Sequence, residues 1–180
     1  MRRLSLLVLL LLPLCLIAQT APPQKADPWE HLRRLVGEWR GESEGEPGKG
    51  SVTRSYAFVL NGQFLHEKNV STYSPQEKNP KGEVHEHWTL FSHDRARKAI
   101  VMRQFHSEGF VNQYVLSLDQ ATKSGFVLKS EGFENLPAGW KAREKYEVIS
   151  ADEFVETFEL AAPGQPFEVY SRTRFKRARS

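Results

Sequence analysis

The stretch Val101–Leu116, "VMRQFHSEGFVNQYVL", admits two readings, and the choice between them decides the fold. It gathers a histidine, an arginine and a glutamate near a glycine, as a catalytic loop does. It also alternates like two strands joined by a tight turn. Ser107-Glu108-Gly109 makes a three-residue hairpin loop, with Gly109 at the position that needs a left-handed backbone. That loop sets His106 opposite Phe110, Gln104 opposite Asn112, Met102 opposite Tyr114 and Ile100 opposite Leu116. All eight then share one face of the sheet. This face is apolar away from the turn and polar beside it. The other face mixes Val101, Arg103, Phe105, Val111, Gln113 and Val115. The first face is expected to point inward, as a wall with an apolar floor and a hydrogen-bonding rim.

The same alternation runs outward in both directions. Strands are predicted near 38–45, 51–60, 63–73, 83–92, 97–106, 110–118, 124–132, 140–149, 152–160 and 167–176. Turn signals such as "EPGKG", "NG", "SPQEKNPKG", "DQATKSG" and "APGQP" separate them. Short connections join neighbours, so about ten sequential strands predict an antiparallel, up-and-down β-barrel. Ahead of them, "DPWEHLRRLVGEW" has Asp27 as a cap, Pro28 in a first turn, and Trp29, Leu32, Leu35 and Val36 on one face. It predicts one short amphipathic helix, ended by Gly37, that plugs one end of the barrel. The fold class is therefore all-β with one N-terminal helix.

The first 20 residues stand apart. Arg2 and Arg3 precede an apolar run from Leu4 to Ala18. That run is shorter than the roughly 20 residues of a membrane span, and small residues follow it, as in a secretory signal. Residues 21–27 are a polar lead, and 28–180 form one domain. Export places the protein in a periplasm or outside the cell. The single cysteine, Cys15, lies in the signal, so the working chain has no disulfide. A core of about this size can hold a fold alone. Losing Arg2 and Arg3 lowers the net charge from +3 to +1. The basic end "RTRFKRARS" reads as a last strand with a solvated tail. Nucleic acid is not an expected partner, nor is a membrane beyond the signal.

Several residues invite chemistry. His85 and His87 share one face of a strand, the spacing with which cupin-type barrels bind metal. Their third ligand is open; His93 is available but falls in a turn. Val84, Trp88 and Leu90 form the opposite face, which more naturally points inward and is expected to leave both histidines in solvent. Arg54, Glu144 and Glu156 sit on otherwise apolar faces. A buried charge is costly unless paired. They are either internal ion pairs of a filled barrel or groups that orient a ligand's polar end in a hollow one. No Gly-x-Ser-x-Gly elbow, no phosphate-binding glycine loop and no spacing that marks a general base occurs. No catalytic residue is expected. Asn69-Val70-Ser71 is a glycosylation sequon.

"HLRRLVGEWRGESEG", followed by "GQFLHEKN", resembles nitrobindin-like haem-binding β-barrels and a related bacterial domain family of unknown function. Both belong to the calycin group of lipocalin-like barrels. The shared pattern is Leu35, Gly37, Trp39 and Gly41. The resemblance implies a calycin barrel, a tryptophan packed at its closed end, and haem as cofactor. The family's haem ligand is a histidine in a late strand. Here that stretch is "PFEVYSRTRFKR" and has no histidine; Tyr170 stands nearest, and tyrosine can ligate haem iron. The combined expectation is an exported barrel that binds a small hydrophobic ligand. Its cavity candidates are Arg54, Met102, Gln104, His106, Asn112, Tyr114, Glu144, Glu156 and Tyr170. The competing readings are a barrel enzyme, using metal at His85 and His87 or a carboxylate, and a filled structural barrel.

Overall fold

The computed structural model describes residues 27–179. The expected signal over 1–20 and the lead up to residue 26 lie outside them. The strands are β1 (Gly37–Gly45), β2 (Gly50–Val59), β3 (Phe64–Tyr73), β4 (Glu83–Asp94), β5 (Ala99–His106), β6 (Val111–Ser117), β7 (Gly125–Glu134), β8 (Lys141–Ser150), β9 (Glu153–Ala161) and β10 (Glu168–Arg177). Each pairs antiparallel with the next in sequence, and β1 pairs with β10 to close the barrel. Closure removes the exposed sheet edges through which strands of other chains add on.

The opening hairpin has the register its turn requires. Phe105 pairs with Val111, Gln104 with Asn112, Met102 with Tyr114 and Ile100 with Leu116. His106 donates its backbone N–H to Phe110 O at 3.1 Å. Gly109 has φ of 87°, which a side chain would strain. Ile100, Met102, Gln104, Asn112, Tyr114 and Leu116 are all buried, while Arg103 and Phe105 face outward.

The expected N-terminal helix is not present. Residues 28–32 make turns that end in one 3₁₀ turn, Arg33–Leu35. Its hydrogen bonds are mostly i to i+3: Glu30 to Asp27, Leu32 to Trp29, Leu35 to Leu32 and Val36 to Arg33. The physical reason is the spacing of what must be buried. Trp29, Leu32 and Leu35 recur every three residues and are all buried, whereas Val36 is exposed. A three-residue repeat suits a 3₁₀ turn better than a 3.6-residue helix. Two turns of α-helix also gain little against the cost of nucleation. The segment still closes the barrel. Arg34 bonds Lys123 O at 2.6 Å, and Arg177 bonds Val36 O at 2.8 Å and Arg34 O at 2.9 Å.

The interior divides into two halves. At the closed end, Trp29, Leu35, Trp39, Phe126, Phe154 and Phe175 belong to one continuous core. Phe154 stacks with Phe175 at 4.7 Å and meets Trp39 edge-on at 4.7 Å. Gly41 makes this possible on the β1–β10 seam: a Cβ there would lie 2.8 Å from the Phe175 ring and 2.7 Å from Thr173 Cγ2. Met102 and Tyr114 point inward but belong to this packed half. Beyond them, towards the loops 46–49, 74–82, 107–110 and 135–140, the barrel is hollow.

Candidate functional site

The hollow half is a cavity of about 540 Å³. Of the residues expected to line it, Arg54, Gln104, His106, Asn112, Glu144, Glu156 and Tyr170 do so, and Met102 and Tyr114 lie beneath it. The expected apolar floor is thus replaced by a polar one. Phe133, Trp140, Phe158 and Leu160 supply an apolar wall on the far side.

The floor is built around Arg54. Its guanidinium pairs with Glu156, which reaches across from β9, and lies 3.5 Å from Glu67 Oε1. It also donates to Asn69 Oδ1 at 2.8 Å and to the Tyr56 hydroxyl at 3.2 Å, and stacks over Phe175 at 4.4 Å. Asn69 is buried and passes the network on to Ser71 at 3.1 Å, so the sequon asparagine faces the interior. Burial opposes ionisation of Glu67, but Arg54 and His87 outweigh it and hold this carboxyl below its ordinary value.

Glu144 has the opposite balance. Burial, reinforced by the charges of Glu156 and Glu67, pushes it well above the ordinary carboxylate value, so it keeps its proton to higher pH than a solvated carboxyl does. Tyr146 donates to it at 3.2 Å. A carboxyl that keeps its proton longer in the fold than in the unfolded chain stabilises fully below the unfolded pKa. That contribution is lost as pH rises through the folded value. Glu144→Gln is neutral at every pH. It is expected to raise Tm over the parent at pH 7, with the gain vanishing below the ordinary value of 4.5. Melting curves at several pH values check this; an equal shift at all pH values would contradict it.

On the wall formed by β4 and β5, the sequence expectation is reversed. Val84, Trp88 and Leu90 are exposed on the outer surface, and His85 and His87 point inward. The alternation of β4 is genuine, but its polar face is the inner one, because this half of the barrel is hollow. His93, available in sequence but read as lying in a turn, is not part of the group. The third histidine is His106, which the β4–β5 register sets directly opposite His87. His85 Nε2 lies 3.5 Å from His87 Nδ1 and 3.2 Å from His106 Nδ1. Each ring's other nitrogen has its own partner. His85 Nδ1 meets Glu108 Oε1 at 2.7 Å, His87 Nε2 meets Glu67 Oε1 at 2.9 Å, and His106 Nε2 meets the Asn112 amide at 3.1 Å. Burial and the two neighbouring imidazoles push the His106 pKa down to about 3, so it is neutral. Sequence reasoning missed this convergence and the roles of Glu67 and Glu108. The signal was the four-residue loop 95–98, whose length sets the β4–β5 register.

Tyr170 lines the mouth, its ring edge-on to Phe158 at 5.6 Å. Burial and the nearby Glu83 and Tyr73 push its phenol above the ordinary value.

No protein-family model matches the sequence, and a search of curated proteins finds no relative. Among solved structures, the chain is similar to Rv2717c from M. tuberculosis. The TM-score is 0.62 at 17% identity, over 87% of this chain and 100% of that one. It is also similar to the S-type phycobiliprotein lyase CPES from Guillardia theta. There the TM-score is 0.51 at 14% identity, over 84% of this chain and 92% of that one. At these identities the likeness shows the fold alone, a closed antiparallel β-barrel.

Proposed function

We propose that this protein is an exported binding barrel for a small amphipathic molecule whose polar end is neutral or cationic. The observation that carries this reading is the cavity of about 540 Å³, with an apolar wall facing a polar floor. Pockets that hold small ligands combine apolar surface with a few placed polar groups in this way. The charge of the lining selects the polar end. Glu83, Glu108 and Glu156 line the cavity against one guanidinium, Arg54, which Glu156 already occupies. An anionic end would find no free cation among these residues.

Haem, the cofactor that the sequence resemblance implies, fits these residues poorly. It needs an axial donor over an apolar slot. The raised pKa of Tyr170 opposes the phenolate that ligates iron, and the inward histidines converge on one another. Its two propionates would also meet the carboxylates at the mouth.

Nile red, a neutral apolar fluorophore, tests the reading. Saturable enhancement of its emission is expected, accompanied by a change in the emission of Trp140 on the apolar wall. Ala142 is buried on β8 with its side chain on the cavity. Ala142→Phe is expected to abolish the saturable signal, at a folding cost of no more than about 3 kcal/mol. Unchanged Nile red binding by a folded Ala142→Phe variant would contradict the reading.

A further inference from the structure

We propose that His85, His87 and His106 form a binding site for one divalent transition-metal ion, with a fourth coordination position open to the cavity.

The geometry fits an ion of the zinc class. Tetrahedral ligation at 2.0–2.1 Å places ligand nitrogens roughly 3.3–3.4 Å apart. His85 Nε2 lies 3.5 and 3.2 Å from the inward nitrogens of His87 and His106, and donor atoms of all three histidines lie within 4.8 Å of one another. They come from three rigid positions: two on β4 that share a face, and one on β5 directly across from the second. Sites on paired strands hold their donors more closely than loops do.

The outer partners point the same way. A metal-bound imidazole donates its other N–H to a carboxylate or carbonyl, which fixes the tautomer. Glu108 and Glu67 accept from His85 and His87 in this manner. With these two protons placed outward, His85 Nε2 and His87 Nδ1 face each other as bare lone pairs. For His106, the Asn112 amide is the partner, and its Oδ1 is buried without a protein partner in the orientation shown. Amide oxygen and nitrogen are assigned from such contacts. Turned over, Oδ1 accepts from both His106 Nε2–H and the Tyr114 hydroxyl, 3.3 Å from the same amide position. All three inward nitrogens are then free donors to a cation. Without a metal, the Nδ1–H of His106 would donate to His85 Nε2 and the amide would stay in the orientation shown; either amide orientation leaves one Asn112 atom unpartnered, so the two networks differ in the trio itself. The surroundings favour a cation as well. Glu67 Oε2 is buried without a protein partner, and Glu67 and Glu156 share a single buried guanidinium, that of Arg54.

The fourth position faces the cavity, because all three histidines line it. If the ligand reading above holds, a bound molecule meets the ion there through a neutral donor atom. The ion itself needs no organic ligand, so the two readings are tested apart.

The experiment is titration of the metal-stripped protein with Zn²⁺, followed by calorimetry and thermal melting, and with Co²⁺, followed by visible absorption. The expected result is one equivalent bound, a rise in Tm, and the visible bands of low-coordinate cobalt. His85→Ala and His106→Ala are expected to lose all three signals, while His93→Ala and His66→Ala keep them. Glu108→Gln keeps the site but weakens it roughly 10- to 100-fold, as loss of an outer partner does. Glu108 is 42% exposed, so this variant folds even if a histidine variant does not. Circular dichroism confirms folding of each. Absence of saturable binding by the folded parent overturns the proposal. So does binding that survives in His106→Ala but is abolished in Glu108→Gln, since this places the ion among Glu83, His85 and Glu108 at the rim.

Discussion

Arg54→Met is expected to destabilise the protein by about 3–5 kcal/mol, the cost of leaving buried charges without their partner. Arg54 is 5% exposed and is the cation shared by Glu156 and Glu67. Methionine fills much of its volume and still lies on Phe175, so the loss is electrostatic rather than a cavity. The pH dependence identifies the cause. Glu67 is held below its ordinary value of 4.5, so its contribution is present above that value and is lost as pH falls through the folded one. The penalty of Arg54→Met therefore shrinks in acid. Adding Glu156→Leu restores part of the stability, because the pair is removed together. Urea melts at pH 7 and at acid pH decide the matter. A loss below about 1 kcal/mol, as is typical of surface sites, would mean that water reaches the network and screens it.

Trp39→Ala is expected to cost about 3–5 kcal/mol, as loss of a large buried aromatic does. Trp39 is 3% exposed and closes the packed end. Its indole N–H donates to Leu35 O at 2.6 Å, tying β1 to the 3₁₀ turn. Its face carries the Arg177 guanidinium at 4.3 Å, on the strand that closes the barrel. The substitution therefore loosens the N-terminal segment and the β1–β10 seam together. Denaturant melts give the magnitude. A variant as stable as the parent would contradict the closed-end packing.

Turn chemistry made the barrel legible. The three-residue loop at Ser107-Glu108-Gly109 gave the register of the central hairpin, and short connections gave the strand order. The inward face was legible where it is apolar, at Ile100, Met102, Tyr114 and Leu116. It was misread where it is polar. On β4 the apolar face of Val84, Trp88 and Leu90 is outside, and the histidines are inside. On β3 the buried residues beside them are Glu67, Asn69 and Ser71. Apolar-in patterning holds for a packed interior, and this half of the barrel is a cavity lined by polar groups. The helix was misread for a different reason. Its apolar residues fit two periods, and only packing at the barrel end chooses the tighter one.

The central claim is that ligand enters the barrel and does not settle on its outer surface. A second concavity makes this a real choice. An apolar groove of about 620 Å³ runs over the outside of β4 and β5, lined by Leu60, Trp88, Leu90 and Phe105. An amide-resolved magnetic resonance titration with Nile red separates the two. Shifts are expected at Gln104, Asn112, Trp140, Ala142 and Thr173, whose side chains line the cavity. Shifts confined to Leu60, Trp88, Leu90 and Phe105, with the cavity residues unmoved, would contradict the account.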